Sequence, residues 1–468
     1  SDRNFLEQYY KHEFDTSPNQ ATFAMIKQQQ DNWSWSALVE GRVNPWLTTT
    51  ESFPRLDGYL QGWKLFDSIT SHTHATLGFH RLAVSNDPPL PVANAPPGTF
   101  LPEGTTTGGT TGRAAIFQEF ALPLQWGAFN VAPYFKGAVV GYTEDVDGDA
   151  NGQLWGGLGV RAHVPFTRLY EGVQSELFNV NGLNHKINLH ANYFYAEATE
   201  RYTQFLQIDR LNDFATDQAN RELRPFQPLY YNSAAGQALA SSPLYDPQRL
   251  ALRRLVDNRF DTLDQINVLQ LEVRQRLQTK RGVLGSQHII DWMSLDAGVS
   301  LYPQADRDNF GSAVAFLEYD YNWNIGDRTS FQSSGWYDPN ENGPRVTTMG
   351  LFFDRPDRTT YFVGYRQIDP LQSRAVTGAV TYTFSEKYSM TLSASYDLGR
   401  SAAFGNSLIF TRTGRDLQIS MGFTYNSLQN NFGAIVEIVP NLASRRGTPG
   451  AGILGGQGMA GQNAGLGR

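Results

Sequence analysis

One stretch constrains this chain more than any other. From Tyr388 to Leu398 the apolar set Tyr388, Met390, Leu392, Ala394, Tyr396 and Leu398 alternates without error with Ser389, Thr391, Ser393, Ser395 and Asp397. A period of two places successive side chains on opposite faces of a strand, and slipping by one residue would exchange the faces. Leu417, Ile419, Met421, Phe423 and Tyr425 repeat the pattern, and Ile187, Leu189, Ala191, Tyr193 and Tyr195 do so less purely. Runs of about 9 to 11 residues suit a tilted strand crossing the apolar band of a membrane, whereas strands of soluble domains average about 5 to 6. The polar face is Ser, Thr, Gly and Asn, which suits the wall of a wet lumen. Tyr388 and Tyr396 stand near strand ends, where membrane barrels place aromatic girdles.

Composition removes the competitors. Mean hydropathy is -0.40 and no uninterrupted apolar run reaches helix-spanning length; the best candidate, Gly127 to Tyr142, is broken by Pro133 and Lys136. A bundle of membrane helices is excluded, and 40% hydrophobic residues exclude general disorder. The chain has no Cys, which removes disulfides, thiol catalysis and Cys-ligated zinc. A net charge of -7 without a long basic run argues against a nucleic-acid groove. The polar start, Ser1-Asp2-Arg3-Asn4, carries no signal peptide, so the chain is expected to be cytosolic or a processed or excised portion of an exported protein.

Turn signals divide the chain. After an opening candidate at Asn4 to Phe14, strands are expected near 21–30, 33–44, 52–62, 71–84, 113–123, 129–143, 154–166, 185–198 and 264–280. Ten more follow near 289–302, 312–325, 329–337, 345–354, 359–369, 375–384, 388–398, 406–413, 417–426 and 432–440. The expected fold is all-β: a transmembrane antiparallel β-barrel of about 20 strands, within roughly 18 to 26, with short periplasmic turns and long extracellular loops. Tight links at Asp31-Asn32, Ser385 to Lys387 and Gly414 to Asp416 alternate with long ones at 85–112, 144–153, 199–263, 303–311 and 399–405. The link at 167–184 is a misfit, long where a short turn is due. Barrel sequence thus occupies 1–440, with long loops 85–112 and 199–263 and short helices near Pro247 to Arg254; a Gly/Ala-rich tail, 441–468, is expected to be disordered.

Asp147, Asp149 and Asn151 stand at positions 1, 3 and 5 of a calcium-loop-like stretch with Gly152 at position 6, but Leu158 occupies the place of the bidentate Glu. An acidic, solvated outer loop is the preferred reading. His72, His74 and His80 share strand parity, yet His80 lies roughly 20 Å beyond the first two along an extended chain, so lumen-facing polar roles are preferred to a metal. No GxSxG, HExxH, P-loop or GxGxxG motif is present, and neither enzymatic activity nor a cofactor is expected.

Several segments resemble one family. Asp2 to Tyr10 (DRNFLEQYY), Phe53-Pro54-Arg55-Leu56, His185 through Ala196, Val273 to Gly282 (VRQRLQTKRG) and Phe362 to Arg366 (FVGYR) are similar to the outer-membrane lipopolysaccharide-assembly proteins, also called organic-solvent-tolerance proteins (LptD/OstA). The resemblance runs over most of residues 2 to 440. It implies a barrel in the cell outer membrane that receives lipopolysaccharide or a related glycolipid from periplasmic bridge proteins, passes the sugars through its lumen and releases the lipid between its first and last strands. A lumen-plugging lipoprotein is an implied partner. The family normally places a β-jellyroll domain before the barrel, so the chain is expected to be an excised or shortened form. A lateral exit needs a weak seam, and proline lacks the N–H that a ladder requires. Pro18 and Pro440 lie near where that seam should be. Arg274, Arg276, Lys280 and Arg366 are expected lumen cations able to meet phosphate. The alternatives are a passive porin or substrate-specific channel, and a secreted soluble all-β carbohydrate-active protein.

Overall fold

The computed structural model describes residues 22–43, 49–83, 108–209, 260–283, 285–309, 311–339, 343–356, 358–368, 373–399, 401–426 and 431–440. Twenty strands run in chain order. The first half holds β1 (Thr22–Gln30), β2 (Trp33–Gly41), β3 (Thr49–Leu65), β4 (Ile69–Ala83), β5 (Gly109–Ala121), β6 (Leu124–Trp126), β7 (Phe129–Tyr142), β8 (Asn151–Ser175), β9 (Val180–Ala198) and β10 (Ile266–Arg281). The second holds β11 (His288–Leu301), β12 (Leu317–Trp323), β13 (Thr329–Asp338), β14 (Gly343–Arg355), β15 (Thr359–Ile368), β16 (Ser373–Ser385), β17 (Tyr388–Asp397), β18 (Ala402–Thr413), β19 (Leu417–Asn426) and β20 (Asn431–Pro440). Asn4 to Phe14, Pro18, the segment around Pro247 to Arg254 and the tail 441–468 lie outside the described residues.

Each strand pairs antiparallel with its neighbours in sequence, with one local variation. β5 and β6 both lie on β7 in a single register, Ala121 opposite Tyr134 and Leu124 opposite Val131. The break between them is at Pro123, beside which Leu122 N–H still donates to Pro133 O at 2.9 Å. Twenty strands therefore occupy nineteen wall positions, which match one for one the strands expected after Asn4 to Phe14. Among the described residues no ladder joins β1 to β20; β1 pairs with β2 and β20 with β19.

The wall is inside out relative to a soluble protein. Along β17 Tyr388, Leu392, Ala394 and Tyr396 are exposed while Ser389, Thr391, Ser393, Ser395 and Asp397 are buried. β19 repeats this, with Met421, Phe423 and Tyr425 exposed and Ser420 buried. The inner hydroxyls satisfy one another across strands: Thr377 with Ser395 at 2.8 Å, Thr381 with Thr391 at 2.9 Å and Ser393 with Ser407 at 2.6 Å. Water would penalise the continuous apolar outer face, and hydrocarbon would penalise unpaired hydroxyls, so this distribution is stable only with lipid outside.

Short turns and longer connections alternate along most of the chain; the exception is the β12–β13 link, 324–328, which is one residue longer than the β13–β14 link, 339–342. Asp31-Asn32, with Asp31 at φ 46°, joins β1 to β2, and Gly127-Ala128, with Gly127 at φ 61°, joins β6 to β7; both need the left-handed region that Gly and Asp tolerate. The expected links 144–153 and 399–405 are shorter than the sequence suggests, since Asn151 to Gln153 begin β8 and Ala402 to Gly405 begin β18, and the structure corrects two others. Residues 167–184 are not a loop: β8 and β9 continue as a paired ribbon, with Gln174 opposite Asn181, and turn tightly between Ser175 and Val180. Alternation lapses beyond 166 because the β8 arm is exposed on both faces from Pro165 to Gln174. At its tip Phe178 packs against Trp292 and Trp323, at 6.1 and 5.9 Å between ring centroids. Arg281, buried, donates to Phe178 O, Asn179 O and Asn324 O. Gly109 to Gly112, expected within the loop 85–112, instead begin β5, held by β4 from Leu82 opposite Gly109 onward.

The sheet curls toward its polar side. The connection after β9 packs at once against inner residues of β3, β4, β5, β7 and β8, which a flat sheet could not permit. Thr50 Oγ1 donates to Ile208 O at 2.6 Å, Phe260 lies 5.1 Å from the His74 ring, Phe205 stacks on Tyr142 at 4.6 Å, and Trp155 Nε1 donates to Asp264 O at 2.9 Å.

Candidate functional site

The inner wall of β3 to β10 carries two linked groups of side chains. Parity selects them: on β5 the inward residues are Thr111, Arg113, Ala115, Phe117 and Glu119, on β7 Tyr134, Lys136, Ala138, Val140 and Tyr142, and on β8 Gln153, Trp155 and Arg161.

The first group fastens the base of the connection between β9 and β10. Its outgoing pass, residues 199–209, and its return, residues 260–265, are bound to each other. Gln207 Nε2 donates to Asp261 O at 2.8 Å, Asp209 N–H to Asp261 Oδ2 at 2.9 Å, and Phe260 N–H to Asp209 Oδ2 at 3.1 Å. Both carboxylates meet the Arg113 guanidinium, which hydrogen-bonds Asp209, lies 3.9 Å from Asp261 and stacks 5.4 Å from the Phe260 ring centre. Arg113 is 3% exposed and Phe260 0%. Burial opposes ionisation of Asp209, but the Arg113 charge and the hydrogen bond from Asp261 overcome it and hold that carboxyl well below the usual range. Burial pushes Asp261 up, and the neighbouring Asp209 pushes it further, so one negative charge faces one guanidinium and Asp261 carries the proton. Around this point Phe117, Tyr142, Trp155, Phe194, Phe205, Phe260 and Val268 form an apolar core inside the wall.

The second group lies one step further toward the short turns. Arg161 stacks 4.0 Å from the Tyr134 ring centre and donates to Glu119 at 2.7 Å; Lys136 lies 3.4 Å from the same carboxylate. Tyr134 O–H donates to Asn192 at 2.7 Å, and Asn192 Nδ2 to Gln270 at 2.8 Å. Lys136 is buried among the rings of Phe117, Tyr134 and Phe194, whereas Arg161 is 44% exposed and presents its charge to the lumen.

Below these, β10 shows Arg274 and Arg276 on the inner face, each half-exposed and paired with one carboxylate: Glu272 at 2.6 Å and Asp291 at 3.2 Å. Lys280 is exposed near the end of the same strand. Arg366 lies on β15 opposite Thr348 and Ala375, five strand positions from Arg274, so the four expected cations form no single cluster. Pro440 ends β20 opposite Leu417. His74 and His80 are buried on the inner wall, His74 at 3.3 Å from Asp57 and His80 at 3.1 Å from the Ser52 hydroxyl. The hydroxyl and the carboxylate thus go to different imidazoles and form no relay.

Asp147, Asp149 and Asn151 surround a residue rather than an open centre. The backbone N–H groups of Asp147 and Asp149 donate to Asp145 Oδ1 at 2.8 and 3.2 Å, and Asn151 Nδ2 donates to Asp145 Oδ2 at 3.0 Å. The Asn151 bond first, then these backbone bonds, hold the Asp145 carboxyl below the usual range. Among the described residues no three His, Asp or Glu side chains are placed to share a metal ion.

Arg113, Glu119 and Arg161 escaped the sequence reading because their partners arrive from a distant connection or from other strands. Their signal was present as charged residues at the inward parity of strands that otherwise alternate. Lys136, which interrupts the apolar stretch Gly127 to Tyr142, was one such signal.

No family model matches the chain, and no curated protein does. Solved structures similar to it include variants of the Rhodopseudomonas blastica porin. A triple mutant is 11% identical, covering 80% of this chain and 98% of its own, with a TM-score of 0.25. Another variant is 10% identical over 79% and 98%, at 0.26. A structure described as concerning asymmetric conductivity of engineered proteins is 10% identical over 79% and 98%, at 0.27. At such scores the likeness carries no argument, and the reading of the fold rests on the chain's own pairing and its reversed burial.

Proposed function

We propose that this chain is a passive outer-membrane channel for small hydrophilic solutes and not an enzyme. The observation that carries the reading is the inverted wall, clearest in β16–β19: on β17 and β19 aliphatic and aromatic residues are exposed outside while Ser and Thr are buried inside, where the hydroxyls of β16, β17 and β18 pair across strands. The base of the β9–β10 connection narrows one sector of this lumen, and Arg161, Arg274 and Arg276 present charge along it. Purified protein, checked for folding by its gel shift between unheated and boiled samples, is expected to give discrete conductance steps in planar bilayers. Folded protein that never conducts would defeat the proposal.

A second reading, glycolipid assembly, is favoured by the segments similar to the lipopolysaccharide-assembly family, four of which fall on β3, β9, β10 and β15. In that reading lipopolysaccharide or a related glycolipid is the cargo, a lipoprotein and periplasmic bridge proteins are partners, and the seam near Pro18 and Pro440 is the lipid exit. Depletion in the native host separates the two: loss of newly made glycolipid from the surface supports assembly, and reduced solute uptake with unchanged surface glycolipid supports the channel.

A further inference from the structure

We infer that Arg113, Asp209 and Asp261 form a releasable clasp that holds the base of the β9–β10 connection against the wall and so sets the open cross-section of the pore. The cross-section part rests on the channel reading; the clasp itself does not.

Three hydrogen bonds join the two passes of the connection to each other, and two more brace the outgoing pass internally. Gln207 reaches Tyr202 O, Phe205 O and Asp261 O, and the Asp209 and Phe260 amides cross between the passes. The base is therefore one body. Its root continues β9 and β10, and near the root it is held by β8, through Gln153 Nε2 to Glu200 O and Leu263 O and through Trp155 Nε1 to Asp264 O. Its far end reaches β5 and β3, where polar fastening comes from Arg113 and from Thr50 to Ile208 O. Releasing the far end while the root stays attached would let the base swing away from β3 to β5. The buried Asp209 carboxylate left without its guanidinium supplies the drive, because an ion stranded in a dry site is strongly disfavoured.

The chain has no native Cys, so a single introduced thiol reports on the far end without background. Ile208, 1% exposed, is the reporter. In folded protein in lipid vesicles, Ile208→Cys is expected to be protected from a membrane-impermeant maleimide, and adding Arg113→Met should speed labelling on the order of 100-fold, the effect of breaking a buried ion pair. Arg161→Met, which removes a lumen charge outside the clasp, should leave the thiol protected. Single-channel conductance should rise in Arg113→Met and return when Thr50→Cys and Ile208→Cys are joined by a disulfide. Unchanged labelling in folded Arg113→Met overturns the clasp. Faster labelling with unchanged conductance steps overturns its role in setting the pore. Faster labelling in protein that never conducts keeps the clasp and defeats the channel reading instead.

Discussion

Arg113 gathers at one point what the rest of the lumen spreads out, two carboxylates from the two ends of one connection. The titratable groups facing it from the wall are the His80 imidazole on β4 and the Tyr142 phenol on β7, with the charged Arg55 and Asp57 of β3 behind His80. Asp209, held low, stabilises the docked base above the ordinary aspartate range near pH 4, and that contribution is lost as pH falls through its depressed value. Asp261, held high, acts with opposite sign: docking is fully favoured below about pH 4, and the contribution is lost as pH rises through its raised value, when a second negative charge appears beside Asp209. Maleimide labelling of Ile208→Cys should therefore accelerate toward alkaline pH after correction for thiol ionisation. Asp261→Asn should remove that alkaline rise, and its persistence in this variant would assign it to another group.

Between strands, small residues decide whether the aromatic core closes. A Cβ on Gly157 would meet Phe194 Cζ at 2.6 Å, Tyr195 O at 2.7 Å and Ala196 Cβ at 2.8 Å, whereas at Gly378 it would meet nothing within 4 Å. Gly157→Val is expected to destabilise the barrel by about 1–3 kcal/mol through overpacking, and Gly378→Ala to stay within about 0.5 kcal/mol of the parent. Urea midpoints in vesicles check both; equal midpoints would mean that the β8–β9 seam relaxes freely. The β8–β9 ribbon offers a second test. Arg281 closes its tip with three carbonyl bonds and a 3.2 Å approach to Asp327. Arg281→Met should cost about 2–3 kcal/mol, the range for a charged hydrogen-bond donor lost from a buried site. Faster amide exchange at Phe178 and Asn179, with the centre of the wall unchanged, would locate the damage at the tip.

For the whole molecule, the inverted wall makes one demand that no soluble sheet makes: a charge must be costly outside and tolerated inside. Met349 and Thr348 are neighbours in the middle of β14 and face opposite ways, Met349 exposed on the apolar side opposite Tyr365, and Thr348 on the polar side opposite Arg366. Met349→Arg is expected to destabilise the barrel by about 2–4 kcal/mol if it sits near the bilayer midplane, and Thr348→Arg by much less. Unfolding in lipid vesicles measures the pair. A reversed order would place lipid on the other face and overturn the membrane reading. Alternating short turns and long connections fix the direction in which such a wall inserts, with the β9–β10 connection and its clasp on the long-loop side.

The chain's local order carried most of the wall. Tyr388 to Leu398 announces its strand, its two faces and its length, because a period of two is a local property that neighbouring residues alone express. The same held for the nineteen wall positions. It failed at 167–184, where the β8 arm of the ribbon is exposed on both faces and has no reason to alternate, and at Gly109 to Gly112, where glycine and threonine read equally as loop or strand. The site was another matter. Asp209 and Asp261 stand 96 and 148 residues from Arg113 and share with it no spacing or motif. Only the curl of the sheet, which brings the end of β9 over β5, decides that these three charges meet, and the free energy of burying them together belongs to that meeting rather than to any one segment.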